Sequence, residues 1–169
     1  YSDYPSSPYY NTDENTSLYK EDIFVGYRYF ETIPGAKNYV RYPFGFGLSY
    51  TDYEYSDLTL ASEEIAADGS LKVSVKVTNT GDMAGTEIVQ LYLRDVFSQV
   101  TRPVKELKDF ARVELAAGES KVVEFTVTPD KLMFLDKKMK PIVEPGEFVV
   151  MVGSSSADED LLKASFWVK

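Results

Sequence analysis

Leu71-Lys72-Val73-Ser74-Val75-Lys76-Val77-Thr78 decides the fold. Apolar and polar side chains alternate here without a break. A strand turns successive side chains to opposite faces, so Leu71, Val73, Val75 and Val77 share one face and the polar residues the other. A helix would scatter the same residues around its circumference. Asn79-Thr80-Gly81-Asp82 follows and supplies turn chemistry. The same period recurs downstream. Val89, Leu91 and Leu93 form a second inward row, and Val123, Phe125 and Val127 a third. Phe148, Val150 and Val152 form a fourth, and Ala164, Phe166 and Val168 close the chain. The stretches from Tyr53 to Leu60 and from Leu107 to Leu115 bring the total to about seven strands. Ala116-Ala117-Gly118-Glu119 and Glu144-Pro145-Gly146 are turn sequences between them. Turn signals about every 8–12 residues predict an all-β sandwich of the immunoglobulin-like type. Thr128-Pro129-Asp130 resembles a helix cap with Pro at the first helical position, which predicts one helical turn from Pro129 to Phe134.

Upstream of the strands the composition changes. Twelve of the thirteen tyrosines lie within the first 55 residues, so this part of the chain is built on different rules. Tyr1 to Ser17 is Ser, Pro, Tyr, Asn and Asp without periodicity, which predicts loop. Glu21 to Phe30 is dense in Ile23, Phe24, Val25, Tyr27, Tyr29 and Phe30. A solvated linker has no use for that much apolar surface, and at ~25 cal/mol per Å2 the segment gains from covering it. Tyr42-Pro43-Phe44-Gly45-Phe46-Gly47-Leu48 then forms an aromatic and glycine turn into the strands. The chain divides into an irregular extension or linker, 1–49, and a sandwich, 50–169. The opening Tyr1-Ser2-Asp3-Tyr4-Pro5 reads as the middle of a longer polypeptide.

Composition excludes several kinds of chemistry. Hydrophobic residues make up 44% and charged residues 27%, ordinary for a globular protein with one core. There is no cysteine, so disulfides and thiolate metal sites are out. There is no histidine, which removes Ser-His-Asp and Cys-His arrangements and the usual general base near neutral pH. A net charge of -9 argues against nucleic acid and anionic membrane as partners, because both need basic patches. No apolar run approaches the ~20 residues of a spanning helix. Asn11, Asp13, Asn15 and Asp22 have calcium-loop spacing, but Thr16 stands where the sharp turn needs glycine. Neither a cofactor nor a metal site is expected.

Several segments, in order, resemble family 3 glycoside hydrolases. Tyr19 to Phe30 (YKEDIFVGYRYF) is similar to the segment that follows that family's second catalytic domain. Tyr42 to Thr51 (YPFGFGLSYT) resembles the approach to its fibronectin-III-like domain. Val77-Thr78-Asn79-Thr80-Gly81, Val89-Gln90-Leu91-Tyr92-Leu93, Arg102 to Lys108, Val143-Glu144-Pro145-Gly146 and Val152-Gly153-Ser154-Ser155 extend the match over roughly 19–169. The similarity is to bacterial β-glucosidases. It implies a fibronectin-III-like fold and a parent enzyme that hydrolyses β-glucosides, or some β-xylosides, with retention. It also implies that the nucleophilic aspartate and the acid/base residue lie in a barrel domain and an α/β domain, neither of which is in this chain. Asp109 stands where relatives often have glycine, which questions the local backbone conformation there. Relatives occur in the periplasm, in the cytoplasm and outside the cell, so the resemblance fixes no compartment.

The candidate residues follow from this reading. Retaining hydrolysis needs two carboxylates ~5–5.5 Å apart in a sugar-sized pocket. The acids here fall on strand exteriors and in turns, so no catalytic pair is expected. Asp158-Glu159-Asp160 reads as a solvated loop, and Arg102 and Lys105 as surface charges. Phe24, Tyr27, Tyr29, Phe30, Phe44 and Phe46, with Arg28, form a strip that either docks the domain onto the parent's catalytic domains or folds back on the sandwich. Trp167 points away from the core row and either contacts carbohydrate or packs under a loop. Tyr92, Val149 and Met151 lie on the same outward side, where an apolar patch is expected. The function expected is a non-catalytic brace for the parent's catalytic domains, with a homo-oligomer formed through the parent as a further possibility. The alternative is a carbohydrate-binding module.

Overall fold

The computed structural model describes residues 4–10, 13, 15, 16 and 18–169. Asn11, and with it part of the calcium-like spacing, lies outside the described residues. The seven long strands are β1 (Tyr53–Leu60), β3 (Leu71–Asn79), β4 (Gly85–Asp95), β5 (Glu106–Leu115), β6 (Ser120–Val127), β9 (Gly146–Gly153) and β10 (Leu161–Val168). Three two-residue strands complete the set among the described residues: β2 (Glu64–Ile65), β7 (Phe134–Leu135) and β8 (Pro141–Ile142). One sheet has the order β1-β3-β6 and the other β2-β10-β9-β4-β5, while β7 and β8 pair as a small ribbon. The pairs are antiparallel except β10 with β2, where Trp167 lies beside Glu64 and Val168 beside Ile65. That short parallel strand covers an edge that would otherwise offer unpaired backbone groups.

The inner faces meet in one core. Leu71, Val73, Val75 and Val77 from one sheet pack against Val89, Leu91, Phe148, Val150 and Phe166 from the other. In β3 the alternation in the sequence maps directly onto burial, whereas in β4 and β9 outward residues such as Tyr92 and Met151 are buried too. The helical turn also forms: α2 spans Pro129–Leu132 with Pro at its start, although Thr128 makes no side-chain cap. Asp109 sits at a bulge. Leu91 pairs with Asp109 and Tyr92 with Leu107, which leaves Lys108 as the extra residue. The backbone of Asp109 is not left-handed, and its carboxylate takes the Phe110 N–H at 2.9 Å and the Lys131 ammonium. Aspartate is therefore accommodated where a glycine conformation was in question.

Two loop readings need correction. Lys105 is only 7% exposed, not a surface charge. Its Nζ donates to Ser156 O at 2.6 Å and to Asp158 Oδ1 at 3.1 Å. Arg102 is also largely covered: it donates to Glu106 at 2.5 Å and lies 4.7 Å from the centre of the Phe134 ring. The acidic loop is likewise more than solvated surface. Asp158 takes Lys163 as well as Lys105, and Asp160 accepts the Ser155 hydroxyl at 2.6 Å. These bonds hold the turn between β9 and β10 against the loop before β5.

Candidate docking site

The extension is built from short turns. Phe24 N–H closes a turn on Glu21 O at 2.9 Å. Gly26, at φ 59, opens α1 (Tyr27–Thr32), and a 3-10 turn over Ala36–Tyr39 follows with Ala36 buried. Next comes the turn in which Phe46 N–H donates to Pro43 O at 3.1 Å. Gly45 sits there at φ 79, a left-handed conformation that glycine adopts without strain. A Cβ on Gly45 would lie 2.1 Å from Gln90 Oε1, so the sequence leaves no side chain at this point.

That turn is pinned to the five-stranded sheet. Gln90 Nε2 donates to Gly45 O at 3.0 Å and to Ser154 O at 2.5 Å, while its Oε1 accepts the Tyr92 hydroxyl. Ser156 N–H donates to Phe44 O at 2.9 Å. The Phe44 ring meets Tyr92 edge-on at 6.5 Å and stacks on Tyr27 at 4.6 Å. Tyr92 and Met151 are therefore buried with Leu161 in a second small core, with Phe44 and Val149 packed against it. The outward apolar patch expected around Trp167 is not exposed there, because the chain's own extension covers it. Trp167 belongs to neither core and remains 51% exposed.

The strip residues thus separate. Phe44 is an anchor on the sheet, and Tyr27 stacks on it. Phe30 packs edge-on to Tyr29 at 5.4 Å, and Phe46 meets Tyr42 at 4.9 Å. Phe24 is half-buried, whereas Tyr27 and Phe46 keep much of their surface in solvent. Tyr19, Tyr39, Tyr42, Leu48 and Tyr50 are strongly exposed. Arg28 has no ion-pair partner among the described residues. Replacing Gln90 with alanine removes all three side-chain bonds of the pin. The expected result is a loss of about 1–3 kcal/mol. Hydrogen exchange is expected to quicken at Phe46 and Ser156 and stay unchanged at Val75 and Val150. Unaltered protection at Phe46 would show that the ring contacts and the Ser156–Phe44 backbone bond hold the turn without Gln90.

A cleft of about 550 Å3 opens between α1 and the sandwich. Glu31 lines it from the extension, and Lys105, Ser156 and Asp158 line it from the loops. Burial pushes the Glu31 carboxyl up from the ordinary range, while nearby Ser156 and Lys105 work the other way. Ser156 adjoins Glu31, but neither Glu31 Oε1 nor Ser156 Oγ completes a hydrogen bond of good geometry. Burial likewise raises the Tyr92 hydroxyl, with the charge of Glu31 adding to it. The sequence singles out none of Glu31, Gln90 and Ser156, and marks Lys105 only as a surface charge. Nothing local marks them, because their partners lie up to 64 residues away.

A family profile described as "Fibronectin type III-like domain" matches residues 87–156, from within β4 to the loop after β9. A β-glucosidase of Bacteroides ovatus is 47% identical over 150 residues, which is 88% of this chain and 20% of that protein. Thermostable β-glucosidase B of Acetivibrio thermocellus is 45% identical over 155 residues, 91% of this chain and 20% of that one. Among solved structures, a family 3 β-glucosidase of Bifidobacterium adolescentis superposes with a TM-score of 0.82 at 36% identity, covering 99% of this chain and 24% of that one. The chain spans about a fifth of the length of the relatives it matches. The β-sandwich and these matches agree: the chain carries the fibronectin type III-like domain of the family 3 glycoside hydrolases of β-glucosidase type.

Proposed function

We propose that this chain is a non-catalytic accessory domain that braces the catalytic domains of a retaining β-glucosidase-like enzyme. In this reading residues 1–49 are the interdomain linker and 50–169 the accessory domain. One observation carries it: the extension is fastened to the sheet at Phe44 and Gly45, yet leaves Tyr19, Tyr39, Tyr42 and Tyr50 uncovered. Exposed aromatic surface fixed on a rigid support suits an intramolecular interface better than open solvent. Arg28 is available to pair with a carboxylate across that interface. Blotting source cells with an antibody raised against this chain tests the reading. The expected band lies far above 19.1 kDa, and the purified chain is expected to hydrolyse no aryl β-glucoside. A band near 19.1 kDa, or turnover that survives removal of contaminants, overturns it.

A further inference from the structure

The hairpin tip between β7 and β8 differs from the rest of the chain in charge and in backbone. The chain carries a net charge of -9, yet Lys131 to Lys140 holds four lysines against one aspartate. Lys131 is tied to Asp109. Lys137, Lys138 and Lys140 are exposed and enter no ion pair among the described residues. The turn that presents them is fixed. Asp136 Oδ1 accepts the Lys138 and Lys140 N–H groups, both at 2.8 Å, and Met139 N–H closes on Asp136 O at 2.9 Å.

Met139 is the unusual member of this turn. Among the described residues, the non-glycine positions with left-handed backbone are Asp22, Asp57 and Met139, the last at φ 60. Aspartate tolerates that conformation through local hydrogen bonds, whereas methionine has none to offer and its Cβ crowds the next carbonyl. Glycine would fit the position without strain. The methionine side chain is 73% exposed, so no burial within the chain offsets the strain. Leu135 and Pro141, partners in the ribbon, are exposed beside it. A strained, outward methionine among free cations points to a contact outside the chain.

The side chains narrow the partner. Lysine is a hydrated point charge, which suits a diffuse acidic field better than a bidentate carboxylate or phosphate site. Methionine is flexible and fits irregular apolar protein surface, but it lacks the flat face on which sugars stack. An anionic bilayer would repel the acidic remainder of the chain. An acidic protein surface with apolar groups fits, and the chain itself presents one. Asp52, Glu54 and Asp57 run along β1, an edge strand of its sheet. Asp82 lies in the next turn, which the bond from Thr80 N–H to Asp52 O holds alongside at 2.8 Å. All four acids are exposed and enter no ion pair among the described residues. Tyr50 and Met83, their neighbours in the chain, are exposed as well.

We propose that the β7–β8 tip of one copy docks on the acidic β1 edge of a second copy, with Met139 against Tyr50 and Met83 and the three free lysines facing the four acids. Complementary charge steers the encounter and sets its register, and the methionine supplies the apolar contact. The contact does not depend on the bracing role. A monomeric chain leaves the brace standing, and a single-domain gene product leaves the contact standing.

Sedimentation velocity of the whole 169-residue chain over a range of concentrations tests this. Self-association is expected in low salt and weakens as salt rises, because exposed charges are screened. Met139→Gly is expected to weaken it about tenfold, the share of one apolar side chain taken out of water. Its melting temperature is expected to hold or rise, since glycine adopts this backbone freely. A fall would mean that Met139 serves the fold, and would overturn the proposal. Two charge-reversed chains settle the pairing. One carries Lys137→Glu, Lys138→Glu and Lys140→Glu; the other carries Asp52→Lys, Glu54→Lys and Asp82→Lys. Each alone is expected to stay monomeric, and their equal mixture to form a heterodimer. A parent chain that is monomeric at every concentration, association that survives either reversal, or no pairing in the mixture each overturn the proposal. So does tip-dependent binding to phosphatidylserine vesicles by a chain that does not self-associate.

Discussion

Replacing Phe166 with alanine is expected to lower the unfolding free energy by about 3–5 kcal/mol. The ring is fully buried and stacks on Phe148 at 5.6 Å, its direct neighbour across β9 and β10. It lies on the inner face of the five-stranded sheet, in one buried cluster with the valines of β3. Close-packed neighbours relax only partly into the space a ring leaves, so the lost contacts and the cavity add together. Domains of this size are held by about 5–15 kcal/mol, which makes the change a large share of the total. Urea unfolding measures it as a shift in midpoint at nearly constant slope. The adjacent Trp167→Ala, on the opposite face, is expected to cost less than about 1 kcal/mol. Equal losses at the two positions would mean that the inside and outside of β10 had been assigned the wrong way round.

The second large effect is expected at Asn79, whose side chain is fully buried and fully engaged. Oδ1 accepts from the Thr51 hydroxyl at 2.6 Å and from Gly81 N–H at 3.1 Å. Nδ2 donates to Met83 O at 2.7 Å and to Leu115 O at 3.3 Å. One amide therefore ties the approach to β1, the β3–β4 turn and the end of β5 together. Alanine leaves those donors and acceptors without partners in a dry place, at an expected cost of about 3 kcal/mol. Asn79→Asp is expected to be at least as harmful at neutral pH, because a carboxylate would face the Met83 and Leu115 carbonyls where donors are required. Thermal and urea unfolding of both variants check this. A loss below about 0.5 kcal/mol for alanine would place the restraint in the backbone turn rather than in the amide.

The two positions differ in how they could have been foreseen. Phe166 is legible in the sequence, since it falls on an alternating row beside Val168 and opposite Trp167. Asn79 reads only as turn chemistry next to Gly81. Its burial appears when the ends of β3 and β5 are brought side by side. Lys105 gives the same lesson in stronger form. Next to Arg102 and Pro103 it looks like solvated loop, yet it is buried because Ser156 and Asp158 close over it.

The sequence by itself determined which residues face inward, where the seven long strands run, where α2 begins and that the usual catalytic histidine chemistry is absent. Period, turn residues and composition are local properties, and a chain that buries one face of each strand has to display them. The tertiary structure alone decided strand order, the fate of the outward residues and the cleft. Tyr92 and Trp167 both point away from the main core, but Phe44 lies over the first and the second stays half exposed. Burial of an outward face depends on which distant segment comes to rest there. Here that is fixed by Gln90, reaching Gly45 across 45 residues of chain, together with the Ser156 N–H on Phe44 O and the Phe44 ring contacts.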